Sequence, residues 1–403
     1  MSFDEQNELT LAQAIESANT GLDAIKRAPI VSYNSGTRCL RIQDISQSKE
    51  FENWGFCEVE TKNYDKFCLK KGDIMVARTG ATIGVNFLIR ENLKAVYNNG
   101  LIRLRINNQV ADYTYIYYNL RCNNYWGHIE AISGGTSTQP NMRINALLDY
   151  KILVPPIPQQ KAIASILSAL DEKIELNNRI NKNLEEMAQA IFKSWFVDFE
   201  PFQDGEFEDS ELGRIPKGWR VGYLGEIIEL YDSKRIPLSS RQREGLDKKY
   251  PYYGATSIMD YVDKYIFDGI YLLLGEDGSV IDENEYPFLQ YVWGKFWVNN
   301  HAHVIKGKNG FSEEYLFTLL KKTNVRSIIT GAVQLKINQG NLCNLRVLIP
   351  ESNVVEKVNL ILKDIFTMYR KNIEESRSLI ETRDSLLPKL MSGEIRVPVQ
   401  GVS

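Results

Sequence analysis

The stretch "PQQKAIASILSALDEKIELNNRINKNLEEMAQAIFKSWF" (residues 158–196) decides the architecture of this chain. Proline at its start suits a first helical turn, and after Pro158 neither glycine nor proline interrupts it. Apolar side chains fall at Ile163, Ile166, Leu170, Ile174, Ile180, Leu184, Met187 and Ile191, mostly in steps of three and four. That spacing predicts a helix carrying a coiled-coil seam. A helix of this length is a rod of about 60 Å. A second such pattern fills residues 352–390, with Val358, Ile361, Ile365, Tyr369, Leu379 and Leu386 on its seam.

One offset relates the two. Val358 follows Ile163 by 195 residues, and 195 also separates Ile166 from Ile361, Leu170 from Ile365, Leu184 from Leu379, Gln139 from Gln334 and Pro155 from Pro350. The register therefore holds through a loop, an apolar strand, a proline hinge and a helix, which identifies an internal duplication. Residues 30–155 and 220–350 share a different character. Short runs such as "GDIMVARTGATIGVNFLI", "AVYNNGLIRLRI", "GIYLLLGEDGSV" and "FWVNNHAHVI" alternate Val, Ile and aromatics with Gly and Asn turns, so compact β-rich domains are expected. "SEEYLFTLLKK" (312–322) reads as a helix capped by Ser312, and "ELGRIPKGW" (211–219) as a linker and domain entry. The fold class expected is α+β. Two β-rich domains (1–155 and 198–350) are separated by two long helices (156–197 and 351–396) that form an antiparallel coiled coil with an internal pseudo-twofold repeat.

A chain of 403 residues with 43% apolar side chains has room for two cores. Its net charge of −3 excludes a globally basic nucleic-acid binder. Charge is uneven along it: residues 291–350 carry Lys295, Lys306, Lys308, Lys321, Lys322, Arg326, Lys336 and Arg346 against Glu313 and Glu314 alone, whereas "EPFQDGEFEDSE" (200–211) is wholly acidic. Five cysteines without a CxxC pair, an amino terminus unlike a signal peptide and no apolar run of membrane length lead us to expect a cytoplasmic protein with reduced thiols.

No Walker loop, GxSxG elbow, HExxH helix or nucleotide-binding glycine fingerprint is present. "HAH" (301–303) lacks acidic neighbours in sequence and reads as ordinary strand alternation; "GEDGS" (275–279) reads as a turn. The chain is expected to bind rather than catalyse, with no metal and no cofactor of its own. Small polar loops recur in both copies and supply groups that hold phosphates or read base edges. They give as candidate DNA-binding residues Arg78, Thr79, Thr82, Asn98, Asn99, Gly135, Thr136, Ser137, Thr138 and Gln139 in the first copy. In the second they give Thr256, Ser257, Asn299, Asn300, His301, Gln334 and Lys336.

Four segments, "VPPIPQQKAIASILSALDEKIELNN" (154–178), "AQAIFKSWFVDFEPF" (188–202), "LGRIPKGWRVGYLGEI" (212–227) and "LLPKLMSGEIRV" (386–397), resemble the conserved regions of the specificity (S) subunit of Type I DNA restriction-modification systems. The resemblance covers essentially the whole chain. It implies two target-recognition domains, each reading half of a split double-stranded DNA site. It also implies two docked methyltransferase (M) subunits and restriction/translocase (R) subunits, to which S-adenosylmethionine, ATP and Mg²⁺ belong. The first copy departs from the pattern in starting with "LTLAQAIESANTGL" in place of "IPKGW", and the second helix begins "IPESNVVEKV" without "PQQ". Readings from other classes are a coiled-coil adaptor whose β-rich domains bind proteins, and an autonomous DNA-modifying enzyme, which the missing motifs disfavour. Leu167, Phe192, Trp195, Phe196, Leu362, Phe366 and Leu387 lie on or beside the seams and are expected to dock partners or build the coiled coil. Asn177 and Asn372, at the seam midpoints, are expected to face each other.

Overall fold

The structure, a computed structural model, describes residues 7–47, 49–133, 141–331 and 334–398. Both long helices are present, as Ile157–Phe196 and Ser352–Ser392. The chain divides into two compact units, Met1–Leu176 with Glu375–Ser403 and Asn177–Glu374, and the division falls inside each helix. Each unit is thus a β-rich body plus half of both helices. Burial explains it. In the first unit Ile163 and Leu167 share one core with Leu387, Leu390, Met391 and the strand residues Ile152 and Val154. In the second, Leu184 and Ala188 share a core with Val358, Leu362 and Phe366.

Within each unit the helix halves run antiparallel. Asp171 pairs with Arg383 at 2.6 Å and Lys173 with Glu375 at 3.0 Å in the first unit. In the second, the Asn177 side chain donates to the Asn372 carbonyl (3.4 Å) and the Asn181 side chain to the Tyr369 carbonyl (3.2 Å). Asn177 and Asn372 therefore meet as expected, but the Asn372 amide donates to Asn181 Oδ1 (2.9 Å), a residue the sequence reading passed over. The seam itself needs correction. Ile166, Met187 and Ile361 are exposed, while Asp171, Asn177, Asn181 and Ser376 occupy buried positions. A stripe drawn through apolar residues alone skips these polar ones and drifts onto the solvent face.

The β-rich bodies repeat one topology in their first sheets. The first contains the antiparallel sheet Ile15–Thr20, Leu101–Ile106, Ile74–Ala77, Asn86–Leu88, and the second the sheet Ile228–Leu230, Ala302–Gly307, Tyr271–Gly275, Leu289–Val292. A second sheet in each holds one parallel pair, Arg38–Leu40 with Ala95–Tyr97 and Tyr250–Tyr253 with Lys295–Val298. A two-stranded ribbon leads into each long helix: Asn7–Thr10 with Lys151–Val154, and Arg220–Tyr223 with Arg346–Ile349. The helix expected after Ser312 runs Glu313–Leu320, and the Ser312 hydroxyl accepts from the Tyr315 N–H.

The helix residues expected to dock partners or build the coiled coil are buried to different degrees. Leu167, Phe196, Leu362, Phe366 and Leu387 are buried in the two cores. Phe192 and Trp195 pack against the second, Phe192 on Tyr315 and Trp195 on Phe202. Both stay half-buried, and the aromatic run ending the first helix folds back with Phe199, Phe202 and Trp219 into its own unit. Asn372→Leu should leave Asn181 Oδ1 without its donor and cost about 1–3 kcal/mol, with Asn181→Leu/Asn372→Leu recovering most of it. Urea unfolding of the two single variants and the double one checks this; additive costs would mean the two amides do not act together.

Candidate nucleic-acid interface

In each unit the strand that crosses the first sheet's centre ends in a short turn, and that turn is held by the same backbone hydrogen bonds. In the first unit the Arg78 N–H donates to the Gly100 carbonyl (3.0 Å), and the Met142 N–H to the Arg78 carbonyl (2.8 Å). In the second, the Glu276 N–H donates to the His301 carbonyl (2.8 Å), and the Ile337 N–H to the Glu276 carbonyl (2.9 Å). Thr79 bridges to Asn141 and Asp277 to Lys336, both antiparallel. The Asn98 N–H meets the Leu40 carbonyl as the Asn299 N–H meets that of Tyr253, each at 3.0 Å. Gly80 and Gly278, the next residues in the two turns, both have positive φ, at 75° and 78°. One backbone frame thus occurs twice, with Arg78 corresponding to Glu276, Gly100 to His301 and Asn141 to Lys336.

The side chains on the two frames differ in kind. The first carries Arg78, Thr79, Asn99 and Asn141, with the Thr82 turn alongside. Arg78 Nε and Asn98 Oδ1 are buried there with no hydrogen-bond partner among the described residues. The second carries an ionic array. Arg235 donates to Glu276 at 2.6 Å, Lys336 lies 3.4 Å from Glu276, and the exposed His301 ring contacts Asp277 at 2.6 Å. Thr256 and Ser257 lie on an exposed turn closed by the Gly254 N–H to the Ser257 carbonyl, beside Gln290. Gln334 is exposed on the loop that the Thr330–Lys336 backbone pair closes.

Most predicted residues therefore gather at the two frames, but not all with free side chains. Asn299 is 3% exposed, and its amide is spent on the His301 N–H and the Met259 sulfur, so it shapes the turn instead of facing outward. Gly135, Thr136, Ser137, Thr138 and Gln139 lie outside the described residues. The reading missed Asn141, Glu276 and Asp277. Alignment of "MVARTG" (75–80) with "LLGEDG" (273–278), two apolar-ended strands each leading to a glycine turn, was the signal available. "HAH" runs into the strand Ala302–Gly307. The fold brings acids to it from far away in sequence, since Asp232, Glu276 and His303 converge within 4.8 Å. Asp232 Oδ2 lies 2.6 Å from His303 Nδ1, and Glu276 Oε2 accepts from Arg235 at 2.6 Å. The basic excess of 291–350 is similarly muted by ion pairs from Lys306, Lys321, Arg326, Lys336 and Arg346.

A duplicated α+β chain with one loop frame per copy is a two-site recognition protein. The description of the Type I restriction modification DNA specificity domain matches residues 35–186 and 216–379, and the chain belongs to that family, the non-catalytic specificity subunits of Type I restriction-modification systems. Among its relatives is the Type I restriction enzyme MjaIX specificity subunit of Methanocaldococcus jannaschii, 29% identical over 303 residues, which span 70% of this chain and 69% of that one. The Type I restriction enzyme HindI specificity subunit of Haemophilus influenzae is 21% identical over 82% of this chain and 88% of its own length. In fold the chain is similar to the crystal structure of the Type I restriction-modification S subunit from M. genitalium, with a TM-score of 0.59 at 19% identity over 96% of both chains.

The first frame depends on a close backbone approach at Gly21. A Cβ there would stand 2.2 Å from the Tyr97 carbonyl oxygen and 2.4 Å from that of Asn98. No side-chain rotation relieves a clash with backbone, so Gly21→Ala should displace the Tyr97–Gly100 segment and cost about 1–3 kcal/mol or more. Denaturant unfolding with hydrogen exchange at Arg78 and Met142 measures it; full stability and unchanged protection would refute the packing.

Proposed function

We propose that each unit reads one half of a bipartite DNA site through its frame, and that the two halves differ in sequence because the frames carry different chemistry. The observation behind this reading is the double occurrence of one backbone arrangement with unlike side chains. A shared frame meets the same groove geometry twice. Base preference then follows from what stands on it: a guanidinium and amide-bearing side chains in the first unit, an ammonium, an imidazole and carboxylates in the second. With a net charge of −3, the chain has little to bind DNA by electrostatics alone, so phosphate contacts position it and base contacts select.

Two methyltransferase subunits are proposed to dock on the long helices, with restriction/translocase subunits joining that assembly. S-adenosylmethionine, ATP and Mg²⁺ belong to those partners. The apolar side chains the helices leave exposed, Ile166 and Met187 on one and Leu360, Ile361 and Met368 on the other, suit this role, and Ile166 and Ile361 occupy corresponding positions in the repeat. Among the described residues no helix is long and apolar enough to cross a membrane, and the reading places the chain in the cytoplasm beside the DNA.

Co-expression with the methyltransferase, followed by mapping of methylated adenines, tests the assignment. Arg78→Ala should relax one half of the methylated motif and Lys336→Ala the other, each by about 1–3 kcal/mol of discrimination. A motif unchanged by both variants, or altered in both halves by either one, would sink the reading.

A further inference from the structure

His303, on the strand Ala302–Gly307 of the second unit, is fully buried. Its Nδ1 lies 2.6 Å from Asp232 Oδ2 and its Nε2 lies 2.8 Å from the Ile337 carbonyl oxygen. Both of these neighbours accept. The carbonyl has no proton to give, and Asp232 already accepts from the Val304 N–H (2.8 Å) and the Gln339 side-chain amide (2.7 Å). Both ring nitrogens must then donate, which makes the ring an imidazolium. The charged and titratable groups around it are Glu276, 3.8 Å from Nδ1, and Arg235, which pairs with Glu276 and lies 3.6 Å from Asp232. Lys336 lies on the far side of Glu276, and the Cys343 thiol feels the Asp232 charge.

Two of the ring's neighbours, the Ile337 carbonyl and Glu276, belong to the frame. Ile337 follows Lys336 and donates to Glu276, while Arg235 also donates to the Ala302 carbonyl at 2.7 Å. The first unit solves the same problem without charge. Strand register places Ile102 where the second unit has His303, and Met142 stands in for Ile337 and Ile144 for Gln339.

We propose that His303 and Asp232 are a positioning pair, holding the DNA-facing frame of the second unit in place only while the imidazole carries two protons. Reading of one half-site, and not of the other, then weakens as pH rises. The proposal rests on the reading that the frames face DNA. Burial by itself would raise the Asp232 carboxyl, yet hydrogen bonding from His303, its charge, the Val304 N–H and Gln339 hold it below the ordinary value. Asp232 therefore stays an anion through the neutral range and is lost as a partner only in acid. On the alkaline side it is His303 that gives up a proton. A ring with a single proton can donate to Asp232 or to the Ile337 carbonyl but not to both, so one of the two bonds that tie the strand to the frame is lost.

The chain contains three histidines, so selective ¹⁵N labelling of histidine in the full-length protein resolves each ring. In the same samples, affinity is measured across pH for a duplex carrying the site recovered by methylation mapping. The expected result is a His303 ring with both nitrogens protonated at neutral pH. Affinity should fall about tenfold as that signature disappears, with the same midpoint. His303→Gln should bind about tenfold more weakly at neutral pH and lose the pH dependence. A neutral His303 tautomer under conditions of tight binding, or an affinity profile that ignores the His303 midpoint, would overturn the proposal. That comparison uses the unaltered chain, so a poorly folding variant does not affect it. A doubly protonated ring in a chain that binds no duplex selectively overturns the DNA-facing reading, and the proposal with it, while leaving the buried imidazolium standing.

Discussion

Each β-rich body has an apolar surface that its own strands do not close, and each long helix has a buried stripe that a helix cannot bury against itself. Both are covered by the same contact. Half of each helix completes the first body's core around Ile163, Leu167, Leu387 and Leu390, and the other halves complete the second around Leu184, Ala188, Val358 and Leu362. Everything else hangs on that exchange. The ribbons that enter the helices, the amide cluster of Asn177, Asn181 and Asn372, and the ion pairs of Asp171 all serve to fix which helix face meets which body. A buried Asn or Asp tolerates few alternatives, since a slipped register strands it without partners.

Duplication then separates scaffold from chemistry. Backbone hydrogen bonds at the two frames agree within a few tenths of an ångström, while the side chains on them share almost nothing. The first frame is supported by Ile102 and Ile144, the second by an array of opposite charges around His303. Apolar support is indifferent to pH; ionic support is directional but depends on protonation. The two copies have diverged not only in what they present but in how they hold it.

Much of this was legible in the sequence. Constant spacing between Ile163 and Val358, and between Pro155 and Pro350, revealed the repeat, and period-3.6 patterning revealed both helices, because these signals are local. Asn177 and Asn372 followed from symmetry. The helix face did not, since Ile166 and Met187 look like core to any count of apolar residues while Asp171 and Asn181 do not. Division of each helix between two bodies also escaped, as no local signal marks residue 176 or 374. The Asp232–His303 pair joins residues 71 apart, and its other partners come from the Glu276 turn and from Ile337 and Gln339, so only the fold assembles it.

The sharing of helices has a consequence for how the chain comes into being. The second unit is one unbroken span, Asn177–Glu374, whereas the first begins before it and is completed after it. Leu11 waits for Leu387, Leu390 and Met391. At ribosomal speed the intervening roughly 200 residues take on the order of 10–40 s to appear. During that interval the second unit can close while the first holds Ile163 and Leu167 uncovered. All residues of the second unit are thus made before those of the first are complete, and the first body's surface for Leu387, Leu390 and Met391 is the last to find its partner.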